Sequence, residues 1–244
     1  MVLEDLALLF IRGLGSRGIV HLIDHFGSAE AIYSAPLATL INEAKLRKDV
    51  AERIVAGEGM QEAKREAEYC RKHHICAIAA TDEEYPVALR ETSDRPHVLF
   101  VMGNVEALHM RTLSMVGTRE ATPSGLHAVD KIVSGLAAHI PDLCIVSGLA
   151  YGIDSACHRA ALAHNATTVA VVADTLPNVS PAPQPRRRDS AQGRCHSHRA
   201  TQPIEAERTA LHSPQPHHRS TEHGHGSGRV ARIGRLARHS RDCG

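Results

Sequence analysis

The sequence predicts an α/β fold, a parallel sheet covered by helices, preceded by a small helical domain. Three observations predict it. Between residues 75 and 172, short apolar runs of strand length alternate with segments of helical period. Two of these runs end in glycine-bearing turns that lead into helices, Val116-Gly117-Thr118-Arg119 and Ser147-Gly148-Leu149-Ala150-Tyr151-Gly152-Ile153-Asp154. Ahead of them, the first 73 residues show only helical stripes.

In chain order, Leu6, Leu9 and Phe10 begin a helical stripe that Gly13-Leu14-Gly15 breaks, and Ile19, Leu22, Ile23 and Phe26 begin the next. This pattern is similar to a helix-hairpin-helix, whose hairpin amides hold a DNA phosphate, with Gly13, Gly15 and Arg17 as the contacts. A plain two-helix packing unit needs the same glycines. Helices are expected near 36–43, 47–56 and 60–73, the last with one charged, solvated side. Strands follow at Ile75–Ala80, Val98–Val101, Leu113–Val116, Leu143–Val146 and Thr167–Val172, with helices over 125–138 and 154–164.

In such sheets ligands sit at the carboxyl ends of the strands. Both glycine turns fall there, and each offers amides at a helix start, which suits an anion. Arg119 adds a fixed cation with a fork fitted to phosphate, and Ser147 a hydroxyl donor. Neither turn has the spacing of a dinucleotide or nucleoside-triphosphate loop. Asp154 reads equally as the N-cap of its helix. His158, one turn on, reads as an interior histidine bonded to Asp154 rather than as a catalyst, because no nucleophile pairs with it. No catalytic residue, cofactor or metal site is expected.

No run of apolar residues is long enough to span a membrane. The start Met1-Val2-Leu3-Glu4-Asp5 puts acids where an export signal needs a basic flank, and the six cysteines form no C-x-x-C pair, so a cytoplasmic protein with reduced thiols is expected. The net charge of +1 conceals two unlike parts. Residues 1–176 carry 16 Lys and Arg against 22 Asp and Glu; residues 177–244 carry 12 arginines, no lysine and 5 acids, with 8 of the 18 histidines and 7 of the 12 prolines. That tail reads as a basic nucleic-acid arm, as a His/Cys metal tract (Cys195-His196-Ser197-His198, His223-Gly224-His225) or as out-of-frame sequence.

The ordered set of motifs resembles the DNA-processing protein A family, DprA or Smf. It runs Asp82…Tyr85-Pro86…Leu89…Pro96-x-Val98-Leu99-Phe100…Gly103-Asn104, then Val116-Gly117-Thr118-Arg119, then Ser147-Gly148-Leu149-Ala150-x-Gly152-Ile153-Asp154-x-x-x-His158. The resemblance implies a Rossmann-like domain that binds single-stranded DNA and passes it to a RecA-type recombinase in natural transformation. Gly117, Thr118, Arg119, Ser147 and Gly148 would line the phosphate pocket, and Gly152 and Asp154 are counted with them as DNA- or phosphate-binding residues. Tyr151 stands where many members carry Arg. The implied organisation is a helical domain over 1–73, an incomplete Rossmann-like domain over 74–182 and a disordered tail over 183–244.

The family's second half, with a string like F-P-R-N-R-I-I-A, is not legible in the frame given. Codons chosen for His212–Arg219, read one nucleotide later, give Ile-Pro-Arg-Asn-Arg-Ile-Ile, and the same shift over Gly226–Leu236 gives Val-Val-Val-Glu followed by Ser-Gly-Gly. The tail is therefore expected to be frameshifted. Strand 167–172 would keep an open edge, and the homodimer of the intact family would be in doubt. Helical pieces near 204–211 and 230–238 are its only expected structure. The rival readings are a phosphoribohydrolase-like enzyme of the same superfamily, whose G-G-G-x-G-T-x-x-E string is missing, and a non-functional fragment.

Overall fold

A computed structural model describes residues 3–172 and, as backbone, 208–212. The amino-terminal part is helical: α1 (Leu3–Leu8), α2 (Ser16–Phe26), α3 (Ala29–Ser34), α4 (Leu37–Asn42), α5 (Lys48–Val55) and α6 (Met60–Lys72). The helices expected from 36 to 73 appear within a residue or two of their predicted ends. The additional helix α3 has a local cause. Gly27 ends α2 in the left-handed region (φ 83°), and the Ser28 hydroxyl accepts the Ala31 N–H at 3.2 Å to start α3. Leu22, Ile32, Leu40 and Ile54 close the core between these helices.

The rest is a six-stranded sheet of β1 (Ile75–Ala79), β2 (Val98–Met102), β3 (Arg111–Ser114), β4 (Leu143–Ser147), β5 (Thr167–Val172) and β6 (Arg208–His212). Its order is β1-β2-β6-β5-β4-β3. The stretch from β3 through β4 and β5 to β6 is parallel, while β1–β2 and β2–β6 are antiparallel. The expected α/β, Rossmann-like class is what the chain adopts, with an antiparallel end that strand composition does not reveal. Helices α7 (Val87–Arg90), α8 (Pro123–Ala137) and α9 (Ile153–Ala163) complete the set, with a 3₁₀ turn at Val105–His109.

One face of the sheet carries α8 and α9, packed on Leu143 and Ile145. On the β2 and β5 side, Val98, Phe100, Ala170 and Val172 pack with Leu6, Ala7 and Ala63 of α1 and α6. The opposite face is covered by the Tyr85 loop and by Ala107 of the 3₁₀ turn, which meets Cys144 and Val169. The helical part and the sheet thus share a core. A buried pair reinforces the join, Asp5 with His97 at 2.9 Å, and Arg95 reaches Asp24 at 2.6 Å. Among the described residues no helix is long and apolar enough to cross a membrane.

β6 corrects the expectation for the tail. The segment 208–212 is not a helical piece but a strand. It pairs with β5 (Ala170 opposite Ala210) and with β2 (Met102 opposite Ala210). The edge of Thr167–Val172 is therefore closed rather than open. The slot between β2 and β5 has backbone donors and acceptors on both walls, and an extended segment that enters it completes two ladders at once. Pairing with β5 is what an out-of-frame, unfolded tail should not do, so that reading is contradicted over 208–212. The remainder of 183–244, including the proposed metal tract and the piece at 230–238, lies outside the described residues.

Candidate phosphate-binding site

β3 and β4 are adjacent and parallel, so the chain leaves both at the same end of the sheet. The two glycine turns meet there and are stitched together. The Ile153 N–H donates to the Thr118 carbonyl at 3.1 Å, and the Ser147 hydroxyl donates to the Met115 carbonyl at 2.6 Å. Gly152 has φ 82°, and a Cβ on it would lie 2.6 Å from the Arg119 carbonyl and closer still to that of Thr118. Cβ atoms on Gly117 and Gly148 would likewise fall 2.6 Å from the Ile153 side chain and from Asp154 Oδ2. These glycines let two loops touch.

Several expected roles change. Ser147 is buried and its hydroxyl is committed to the Met115 carbonyl, because the last residue of β4 turns its side chain toward the β3 loop. It stitches the loops and offers phosphate no donor. Asp154 does not cap α9, whose N-cap is Gly152. Its carboxylate accepts the Gly117 N–H at 3.2 Å, across 37 residues of chain, and is only 8% exposed. A buried carboxylate that bridges the loops would repel a phosphate rather than bind it. His158 is partly buried, and its two ring nitrogens bond to groups other than the expected Asp154. Nε2 donates to the Gly148 carbonyl at 2.6 Å, and Nδ1 shares a 2.6 Å hydrogen bond with the Thr168 hydroxyl, itself 2.9 Å from the Ile145 carbonyl. Thr168 is the residue that sequence reasoning missed; a threonine in the otherwise apolar Thr168–Val172 run was the available signal. Burial and the Asp154 carboxylate push the Cys157 thiol up, in keeping with a small core residue.

What remains open is a small set of donors. Among the described residues the N–H groups of Thr118, Arg119, Gly148 and Leu149 have no acceptor. The Arg119 side chain is exposed and forms no ion pair among the described residues. Thr118 uses its hydroxyl oxygen to accept the Glu120 N–H at 3.2 Å. The structure thus brings the loops of Gly117, Thr118, Arg119, Gly148 and Gly152 into contact. Free amides and an exposed cation of this kind suit an anion, and among the described residues no nucleophile–base pair stands beside them.

The amino-terminal hairpin is organised differently. Gly13 is in the left-handed region (φ 84°), and a Cβ there would meet the Arg47 guanidinium at 3.0 Å. Gly15 is extended and begins α2, with open space beside it. The Arg12 N–H and guanidinium both bind Glu58 Oε1, at 3.1 and 3.3 Å. An acid therefore occupies part of the hairpin, and Arg17, exposed, is its one cation without a partner among the described residues.

Comparison with known proteins places these loops. Residues 76–196 match the family model of DNA recombination-mediator protein A, a match that runs past the expected boundary at 182. The chain is 39% identical over 113 residues to the DNA processing protein DprA of Streptococcus pneumoniae, covering 46% of this chain and 39% of that protein. It is 38% identical over 109 residues to the protein Smf of Escherichia coli, covering 45% and 28%. It thus spans well under half the length of these relatives. The fold is similar to the X-ray structure of DprA from S. pneumoniae, with a TM-score of 0.62 over 88% of this chain and 68% of that one, at 24% identity. The chain belongs to the DNA recombination-mediator protein A family, known as DprA or Smf.

Proposed function

We propose that this chain binds the phosphate backbone of single-stranded DNA at the carboxyl ends of β3 and β4, as a DNA-processing protein that passes the strand to a RecA-type recombinase in natural transformation. The observation that carries the binding step is that two touching loops hold amides and an exposed Arg119 guanidinium that have no partner among the described residues. The relatives' names, which speak of DNA processing, support the same reading. Backbone contacts of this kind read charge and spacing rather than bases, so the preference among sequences is weak. The role is one of binding. The carboxylate and imidazole a hydrolase would use are committed to Gly117, Gly148 and Thr168. The recombinase contact, a homodimer, the cytoplasmic location and a phosphate contact from the α1–α2 hairpin through Arg17 belong to the same proposal.

The test is a salt titration of oligonucleotide binding. Arg119→Ala should weaken binding and reduce the log–log salt slope by about 0.7, the value for one phosphate on a single strand. The melting temperature should not move, because the side chain is exposed and has no partner among the described residues. Unchanged affinity and slope would remove Arg119 from the site, and release of base from nucleoside monophosphates by the purified chain would favour the phosphoribohydrolase reading.

A further inference from the structure

Tyr151 sits at the seam of the two loops, next to the Gly152 that touches the Thr118 and Arg119 carbonyls. The side chain is half-buried, yet its hydroxyl oxygen is shielded from solvent and has no hydrogen-bond partner among the described residues. Other polar groups of this seam are paired: Ser147 with Met115, Asp154 with Gly117, His158 with Gly148 and Thr168. Buried hydroxyls are normally satisfied, and an unsatisfied one destabilises the state that holds it. It lies in the same loop as the Gly148 and Leu149 amides and beside the loop of Thr118 and Arg119, whose amides and guanidinium likewise have no partner among the described residues, which is where an acceptor would arrive.

We propose that the Tyr151 hydroxyl is a ligand-binding donor held back in the free protein: it turns out of its buried position to donate to an oxygen of the bound phosphate. This rests on the phosphate-binding reading of the two loops and names the group that responds to occupancy. Turning about χ1, which carries the para oxygen with the ring, exchanges an unmade hydrogen bond for one to an anion, the stronger kind. Stability of the free chain and affinity for ligand are thereby set against each other at a single oxygen atom.

The test uses the full chain, Tyr151→Phe and Tyr151→Ala, with a fluorescein-labelled oligothymidylate of about 20 nucleotides as probe. Removing the hydroxyl alone should raise the melting temperature of the free chain by about 2–4 °C, since the unsatisfied group goes and the ring stays. It should weaken binding about tenfold, the effect of one hydrogen bond to a charged group. The salt slope should stay at the wild-type value, because a neutral donor displaces no counterion; this separates Tyr151 from Arg119. Tyr151→Phe that binds as tightly as wild type overturns the proposal, whatever its stability. Wild-type affinity in Tyr151→Phe with loss in Tyr151→Ala overturns it in favour of ring stacking on a base. A wild-type chain that does not bind the probe overturns the phosphate-binding reading and this inference with it.

Discussion

Substituting Gly152 by alanine should break the site by separating its loops. The backbone there is at φ 82° and ψ −125°, a region that residues with a Cβ avoid at a cost of about 1–3 kcal/mol. The new methyl would also meet the carbonyls of Thr118 and Arg119, and these belong to backbone and cannot swing aside. Relief requires the turn at 117–119 to move off α9, which gives up the 3.1 Å bond from the Ile153 N–H to Thr118, about 0.5–1.5 kcal/mol. The total is about 2–4 kcal/mol, a fall of about 5–15 °C in melting temperature for a domain of this size. Thermal melting followed by circular dichroism measures the first effect and oligonucleotide titration the second, where binding should fall further than unfolding explains. Gly135→Ala is the control: it lies within α8 with nothing within 4 Å of the added carbon, and should raise stability by about 0.5–1 kcal/mol. Wild-type melting and binding by Gly152→Ala would refute the contact between the loops.

Asp154→Ala should destabilise the chain by about 1–3 kcal/mol, because the Gly117 N–H loses its acceptor inside the seam; an unchanged urea midpoint would count against that clamp. Burial pushes the Cys144 thiol up to about 11 and, with Glu66, the Cys70 thiol up to about 12, so both keep their protons after the unfolded chain has lost them near its ordinary value of 9. Stability should therefore decline as pH rises from about 9 toward 11, and a thiol reagent at pH 8 should reach the exposed Cys76 before either; equal labelling of all three would contradict the packing around β4 and α6.

The strands and long helices were legible because burial imposes its own pattern. Cys144-Ile145-Val146 and Val169-Ala170-Val171-Val172 are apolar on both faces because α9 covers one side and the 3₁₀ turn the other. The place of the site was legible for a related reason: glycine turns at the ends of two adjacent parallel strands must meet. The roles inside it were not. Asp154 and His158 are one helical turn apart, and that spacing suggested a mutual bond. Their actual partners come from Gly117 and from Gly148 and Thr168, which only the sheet order brings alongside. Glu58 on the Arg12 amide is a similar case, a contact across 46 residues that no local pattern announces. The unity of the core escaped the sequence because α1 reads like any other amphipathic segment, although Leu6 and Ala7 pack beneath β2 and β5.

β6 gives the sharpest test of the fold. The segment Arg208–His212 carries none of the long β-branched character of its neighbours, and a reading from composition alone leaves it outside the domain. In the structure it is a central strand whose backbone is paired on both sides, opposite Met102 of β2 and Ala170 of β5 at Ala210. Its removal would part β1–β2 from β3–β4–β5, leaving two smaller sheets with two open edges. Proline at position 210 probes this directly. It removes an amide donor and crowds the neighbouring strand, and at a central position that costs about 3 kcal/mol or more, whereas in a segment outside the sheet it costs almost nothing. Ala210→Pro should therefore lower the urea midpoint markedly, and Ala210→Val, which keeps the amide and favours extended backbone, should not. Deuterium exchange would place the effect, with protection lost at both Val98–Met102 and Thr167–Val172. If Ala210→Pro unfolds at the wild-type midpoint and both strands keep their protection, the chain around 208–212 has no part in the sheet, and the edge of β5 is open after all.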